Sequence, residues 1–203
     1  MRVVVGALVL AASGLAVPAS ADDADADTTA IVNLLVRDRL AARGEAPDGS
    51  YLVVAAETIV LCPPRSRDDE PGDTREGFSL SAMVEGSGVF EKAPEPLRRE
   101  LLCQQEGGML PTARLDDALV VSETQISAAF SGEGFWDDFY RAFPGSRGYL
   151  EFTAPAFSAN RREALIYFSH SCGGLCGTGW LVHLSRDPGG AWKIESRQML
   201  WIS

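Results

Sequence analysis

The amino-acid sequence predicts an α+β domain whose N-terminal helices pack on an antiparallel sheet that ends in a four-stranded C-terminal meander. Residues 29–43 and 135–143 carry apolar side chains at the three- and four-residue spacing of an amphipathic helix. From residue 148 onwards, short runs rich in β-branched and aromatic residues are separated by turn sequences. Because helical patterns come early and strand patterns come late, the order is typical of the α+β class.

The first 21 residues have the features of a secretory signal peptide. Arg2 is followed by an apolar run over residues 3–17, and Ala19-Ser20-Ala21 fits the small-x-small cleavage pattern. The run is shorter than the ~20 residues that span a bilayer, so we expect cleavage after Ala21 rather than a retained anchor. The sequence therefore predicts an exported bacterial protein, secreted or periplasmic, with no membrane insertion after cleavage.

The charge of the remaining chain limits its partners. Removal of residues 1–21 takes away one basic residue, Arg2, and leaves 182 residues with 17 basic against 28 acidic groups, a balance of −11. Such a charge repels phosphate backbones and anionic membranes, so we expect no nucleic-acid partner. The acidic residues 22–27 are predicted to be a flexible start, and residues 28–203 to form a single domain.

In the N-terminal half, the sequence predicts a helix, a strand and a loop but leaves one segment unassigned. A helix over residues 29–43 is capped by Thr28 or Thr29 and ends before Gly44. A strand over residues 51–62 follows, and the proline-rich segment 63–77 is predicted to be an exposed loop. Residues 78–90 fit neither the helical nor the strand period, so no element is assigned there.

The middle of the chain predicts short elements. We expect a helix over 97–105, a strand over 118–121 with a helical turn after it that includes Ile126 and Phe130, and a helix over 135–143. An aromatic stripe on this last helix favours core packing over a ligand pocket. Its members are Trp136, Phe139, Tyr140 and Phe143.

Four strands are predicted at the C-terminus, over residues 148–157, 163–172, 178–186 and 191–202. Their connections are too short for parallel crossovers, so neighbouring strands must be antiparallel. Apolar and polar residues alternate along the last strand, which indicates one buried face and one face that is at least partly wet. We expect the helices to cover the buried face.

The stretch HSCGGLCGTGW at 170–180 raises the question of a metal site, a redox centre or a stapled turn. If Cys172 opposes Cys176, Phe168 faces Trp180, and a slip of one residue would move Trp180 to the other face of the sheet. The same parity places His170 and His183 on opposite faces, which prevents both from reaching the ~2.0–2.3 Å coordination distance of one zinc ion.

A redox role is also disfavoured, because three residues separate these cysteines and a strand-to-strand turn supplies no helix dipole to activate a thiol. We therefore predict a structural disulfide between Cys172 and Cys176, as is usual for exported chains. Elimination then pairs Cys62 with Cys103, although four cysteines allow three connectivities.

The final third resembles a group of uncharacterised exported bacterial proteins. The resemblance covers about 70 residues and rests on LCGTGW at 175–180, on Trp192-Lys193-Ile194 and on the terminal WIS. It implies export but no activity. Separately, a helix-then-sheet domain that closes on residues 190–194 is similar to an NTF2-like cone, a fold that hosts both enzymes and binding modules.

Two functional hypotheses remain. The first is a disulfide-stapled binding or interaction module for a small ligand or a protein, because no catalytic, cofactor-binding or metal-binding motif occurs in the chain. The alternative implied by the NTF2-like resemblance is a hydrolase or isomerase with a buried carboxylate or histidine as general base. A perturbed pKa on His170, on His183 or on an interior Asp or Glu beside a cavity would favour the enzyme. A purely apolar cavity would favour the module.

Overall fold

A computed structural model describes residues 21–42, 49–61, 79–104, 107–111 and 115–203. Residues 1–20 of the predicted signal peptide and the predicted loop 63–77 lie outside these ranges. The helices of the described chain are α1 (Ala21–Ala41), α2 (Leu80–Glu85), α3 (Gly88–Lys92), α4 (Glu95–Leu102), α5 (Glu123–Ala129) and α6 (Trp136–Ala142). The strands are β1 (Tyr51–Ala55), β2 (Ala118–Val121), β3 (Ser146–Phe152), β4 (Ala156–Phe157), β5 (Glu163–Ser171), β6 (Gly177–Arg186) and β7 (Trp192–Ile202).

The strands form one mixed sheet in the order β2-β1-β3-β5-β6-β7, with β4 beside β5. The predicted C-terminal meander is confirmed, because β5, β6 and β7 follow one another as antiparallel neighbours and β3 is antiparallel to β5. The sheet is not antiparallel throughout, since β1 runs parallel to both β2 and β3. The connections that contain α2–α4 and α5–α6 are long enough for these parallel pairings.

Helix α1 covers one face of the sheet. Ile31, Val32, Leu35 and Val36 are almost fully buried and pack against apolar side chains of the central strands. Among them are Leu150 and Phe152 of β3 and Phe168 of β5. This packing confirms the helical pattern that the sequence predicted over residues 29–43.

Helices also cover the opposite face over β1, β3 and β5, which corrects the prediction of a partly wet face for these strands. Along β7, the strand on which that prediction rests, it is confirmed, because Lys193 and Glu195 are exposed. Helices α2–α4 pack over Leu165 and Tyr167 of β5. Helices α5 and α6 pack over Val53 of β1 and Tyr149 of β3. Seven of the nine residues of β5 are consequently buried, as expected for a strand covered on both faces.

Helix α1 begins at Ala21 and therefore includes the acidic residues that we expected to be flexible. Asp27 explains part of this difference, because its side chain is only 9% exposed and faces two arginines. Its carboxylate accepts from Arg161 Nε at 2.7 Å and pairs with the guanidinium of Arg186. The indole Nε1 of Trp192 donates to it at 3.2 Å. The start of α1 is thus held against the β4–β5 turn and the β6–β7 hairpin.

Three other boundaries differ from the sequence prediction. From residue 79 onwards, the unassigned segment contains α2 and the start of α3, each of which begins after a serine N-cap, Ser79 and Ser87. The predicted strand over 51–62 ends at Ala55, and Leu61 is buried against α2–α4 instead. The predicted strand over 148–157 is divided into β3 and β4.

Candidate functional site

The β5–β6 hairpin has the register that the sequence predicted. Ile166 pairs with Val182, Phe168 with Trp180, and His170 with Thr178. Cys172 and Cys176 form a disulfide with their Cα atoms 5.1 Å apart. The structure therefore confirms the predicted staple across the bend of this hairpin.

The second predicted disulfide, between Cys62 and Cys103, stays a prediction. Cys103 is exposed at the C-terminal end of α4 and forms no disulfide with any cysteine in the described ranges. Cys62 lies outside those ranges.

The two histidines lie on opposite faces of the sheet, as the register predicted. His170 shares the α1 face with Phe168, and its Nε2 lies 2.9 Å from the carbonyl oxygen of Arg147. His183 pairs with Leu165 on the other face, and its Nε2 lies 3.4 Å from a carboxylate oxygen of Glu163. Within the ranges that the structure describes, no three His, Cys, Asp or Glu side chains are grouped as metal ligands.

A cavity of about 600 Å³ opens beside the stapled hairpin. Helix α5, the start of α6, strand β3 and the disulfide loop surround it. Its lining residues are Ala55, Glu123, Ile126, Ser127, Phe130, Phe135, Trp136, Tyr149, Glu151, Gly173 and Gly174. The volume lies in the ~300–1,000 Å³ range of small-molecule sites.

Aromatic rings form one side of this cavity. The ring of Phe130 lies 5.0 Å from that of Trp136 and 5.9 Å from that of Tyr149, measured between centroids. Trp136 and Tyr149 stack at 6.1 Å. The aromatic stripe of α6 is thus divided between two roles, since Phe139 is fully buried in the core while Trp136 lines the cavity. The predicted core packing is confirmed for the whole stripe, because Trp136, Tyr140 and Phe143 are partly buried against the cluster that contains Phe139.

Phe135 stands at the rim of the cavity in a strained conformation. It precedes α6 with φ 48° and ψ −100°, a region that residues with a side chain rarely adopt. Its side chain is 57% exposed, and its ring lies 4.9 Å from that of Phe130. Strain of this kind costs about 1–3 kcal/mol and concentrates at functional sites. An exposed aromatic side chain held at that cost marks this rim as a candidate site.

Glu151 is the polar group that faces the cavity from the sheet. It lies in β3 between Leu150 and Phe152, whose side chains point to the α1 face, and is half-buried under the α5–α6 side. The hydroxyl of Ser169, directly across on β5, donates to its carboxylate at 3.1 Å. Burial raises the pKa of Glu151, and the nearby charge of Glu123 raises it further, whereas the Ser169 hydrogen bond opposes both.

Helix α5 places Glu123 at the cavity mouth. Ser122 and Gln125 form a reciprocal capping box at its start. The backbone N–H of Glu123 donates to the Glu57 carboxylate at 2.8 Å, which ties the helix to the segment after β1. Glu123 therefore presents its carboxylate from a fixed helix end.

The disulfide loop also contributes to the cavity wall. Gly173 and Gly174 line the cavity, and the bond between Cys172 and Cys176 closes the loop behind them. The hydroxyl of Tyr140 in α6 donates to the carbonyl oxygen of Cys172 at 2.9 Å. The disulfide thus has the structural role that the sequence predicted, and the loop that it closes borders the cavity.

Sequence reasoning did not single out Glu151. The available signal was a charged residue in the strand Gly148-Tyr149-Leu150-Glu151-Phe152, whose other residues are apolar or aromatic apart from the glycine. Alternation along a strand predicts that its polar positions face solvent, and nothing local in the sequence indicates that α5 and α6 cover this part of the sheet.

No helix in the described ranges is long and apolar enough to cross a membrane. Comparisons of the whole chain with protein-family models, curated proteins and solved structures find no match.

Proposed function

We propose that the protein is an exported binding module that holds a small ligand in the cavity beside the stapled hairpin. The observation that carries this proposal is the cavity itself, a pocket of about 600 Å³ with aromatic rings on one side and a half-buried carboxylate on the sheet. Small-molecule sites typically combine aromatic walls with a small number of polar groups. The strained, exposed Phe135 at the rim supports the same proposal.

Export is proposed on two grounds. A disulfide is stable in an oxidising compartment, and the first 21 residues have the pattern of a cleaved signal peptide. The resemblance of the C-terminal third to exported bacterial proteins agrees with this. We expect thiol titration of the denatured, unreduced protein to find no free thiol, because the second disulfide would join Cys62 to Cys103. Two free thiols would contradict that pairing.

The cavity can be tested by blocking it. Ser127 is exposed on α5 and lines the cavity, so Ser127→Trp would fill the mouth without disturbing the core. Ala128 is its equally exposed neighbour and is not among the cavity-lining residues, which makes Ala128→Trp the matched control. The two variants differ in where the added indole lies but not in its size.

A panel of neutral, cationic and anionic monocyclic aromatic compounds would be screened by saturation-transfer NMR against both variants and the wild type. We expect binding to the wild type and to Ala128→Trp, with at least tenfold weaker binding to Ser127→Trp. If no compound binds, or if Ser127→Trp binds as well as the control, the cavity is not the site.

An enzyme remains the second candidate because of one specific observation. Burial raises the pKa of Glu151 beside a cavity, as a general base requires. Bound compounds from the screen would be recovered after long incubation and identified by mass spectrometry. Unchanged compounds favour the binding module. Conversion by the wild type but not by Glu151→Gln would favour a hydrolase or isomerase.

A further inference from the structure

The charged groups that line the cavity are of one sign. Along the part of its wall that the structure describes, Glu123 and Glu151 are acidic and no lysine, arginine or histidine is present. The full sequence carries a formal net charge of −10, so the electrostatic field of the protein also attracts cations and repels anions. An anionic ligand would meet two carboxylates without a countercharge.

The aromatic walls also favour a positively charged ligand. The faces of aromatic rings are electron-rich and attract a cation within about 6 Å of a ring centroid. Phe130, Trp136 and Tyr149 all line the cavity and their centroids lie within 6.1 Å of one another, so a cation held in the cavity against one ring lies close to the others. Burial raises the pKa of the Tyr149 hydroxyl, which keeps this wall uncharged.

Glu151 supplies the countercharge at the sheet. Its carboxylate is half-buried and accepts the Ser169 hydroxyl, a neutral donor that leaves the negative charge uncompensated. A buried carboxylate is costly unless it is paired with a cation. A ligand with a positive charge between the rings and Glu151 would pair with the carboxylate and contact the ring faces.

From this arrangement we infer that the cavity binds an organic cation, a quaternary or protonated amine attached to an apolar or aromatic body. The inference rests on the proposed function and names its ligand class. The ammonium group lies against Glu151, and the apolar body extends along Phe130 and Trp136 towards the exposed ring of Phe135.

The sign of the pH dependence follows from the acids around Glu151. Glu123 faces it from α5, Tyr149 lies on its own strand, and Tyr167 lies on β5. Burial raises the pKa of Tyr167 to about 12, so neither tyrosine ionises near neutral pH. Affinity for a permanent cation therefore falls as pH drops through the raised pKa of Glu151, at a higher pH than an ordinary glutamate would give.

The inference is tested with three probes of similar shape. Phenyltrimethylammonium is the cation, tert-butylbenzene is its neutral isostere, and benzenesulfonate is the anion. Competition would be measured by ligand-observed NMR at pH 7.5 on the exported protein. We expect the cation to bind at least about tenfold more tightly than the isostere, as a desolvated cation–π contact beside a carboxylate implies, and the anion not to bind.

Two variants test whether the carboxylate of Glu151 causes the preference for a cation. Glu151→Gln should reduce the preference for the cation over the isostere by about tenfold while the isostere binds as before. Glu133→Gln is the control, because Glu133 is exposed and is not among the cavity-lining residues, and it should leave the preference unchanged.

The outcomes distinguish the two proposals. Equal binding of cation and isostere, or tighter binding of the anion, overturns the ligand class while the binding module stands. Absence of binding by all three probes overturns both. A cation preference that survives Glu151→Gln overturns the assigned role of this carboxylate.

Discussion

Replacing Asp27 by asparagine tests how the start of α1 is attached to the sheet. The substitution preserves the shape of the side chain but removes the charge that Arg161 and Arg186 face. Removing one partner of a buried ion pair costs about 3–5 kcal/mol. The two arginine side chains are 18% and 28% exposed, so water offsets part of this loss. Because the asparagine oxygen still accepts one hydrogen bond, we expect the free energy of unfolding to fall by ~2–3 kcal/mol.

The assay is equilibrium unfolding of the purified protein in urea, monitored by tryptophan fluorescence. Asp25→Asn is the matched control, since Asp25 is exposed two residues earlier on the same helix. This control should change the free energy of unfolding by less than about 0.5 kcal/mol. Repeating both measurements in 1 M salt should leave the Asp27→Asn loss nearly unchanged, because buried pairs are weakly screened. If Asp27→Asn is as stable as the control, the ion pairs do not anchor α1.

Three further perturbations probe the sheet and the cavity. Replacing Cys172 and Cys176 together by serine should lower the free energy of unfolding in urea by ~2 kcal/mol, the loop-closure value for a five-residue ring. Gly179→Ala would place a Cβ 2.0 Å from Nε1 of Trp201 and should cost ~1–3 kcal/mol in the same assay, because the indole must move. Burial raises the pKa of Glu151, so Glu151→Gln should be more stable than the wild type at pH 8 in urea unfolding, by a margin that shrinks as pH falls through the raised pKa.

Each of these perturbations has a contradicting result. The double serine variant should match the wild type when both proteins are fully reduced, and a remaining difference would point to lost packing rather than loop closure. Gly174→Ala is the control for Gly179→Ala, because no heavy atom lies within 4 Å of its added Cβ. Equal stability of the two alanine variants would refute the steric argument. A stability gap for Glu151→Gln that does not vary with pH would show that burial of the charge is not its cause.

The sequence by itself determined the C-terminal hairpin. Side chains alternate along a strand, so a slip of one residue would have separated Phe168 from Trp180 across the sheet. This parity excluded every odd shift of the register and separated His170 from His183. The assumed pairing of Cys172 with Cys176 then selected the register that the structure has. All of these are relations between residues close in the chain, where local geometry leaves few alternatives.

Only the tertiary structure decided the remaining features. Asp27 is buried because Arg161 and Arg186 reach it from 134 and 159 residues away, a contact that no local pattern encodes. The parallel pairing of β1 depends in the same way on the helices that connect its neighbours. Glu151 has the sequence pattern of a solvent-facing strand residue. It faces a cavity because α5, α6 and the stapled loop close over that side of the sheet, and this enclosure raises its pKa.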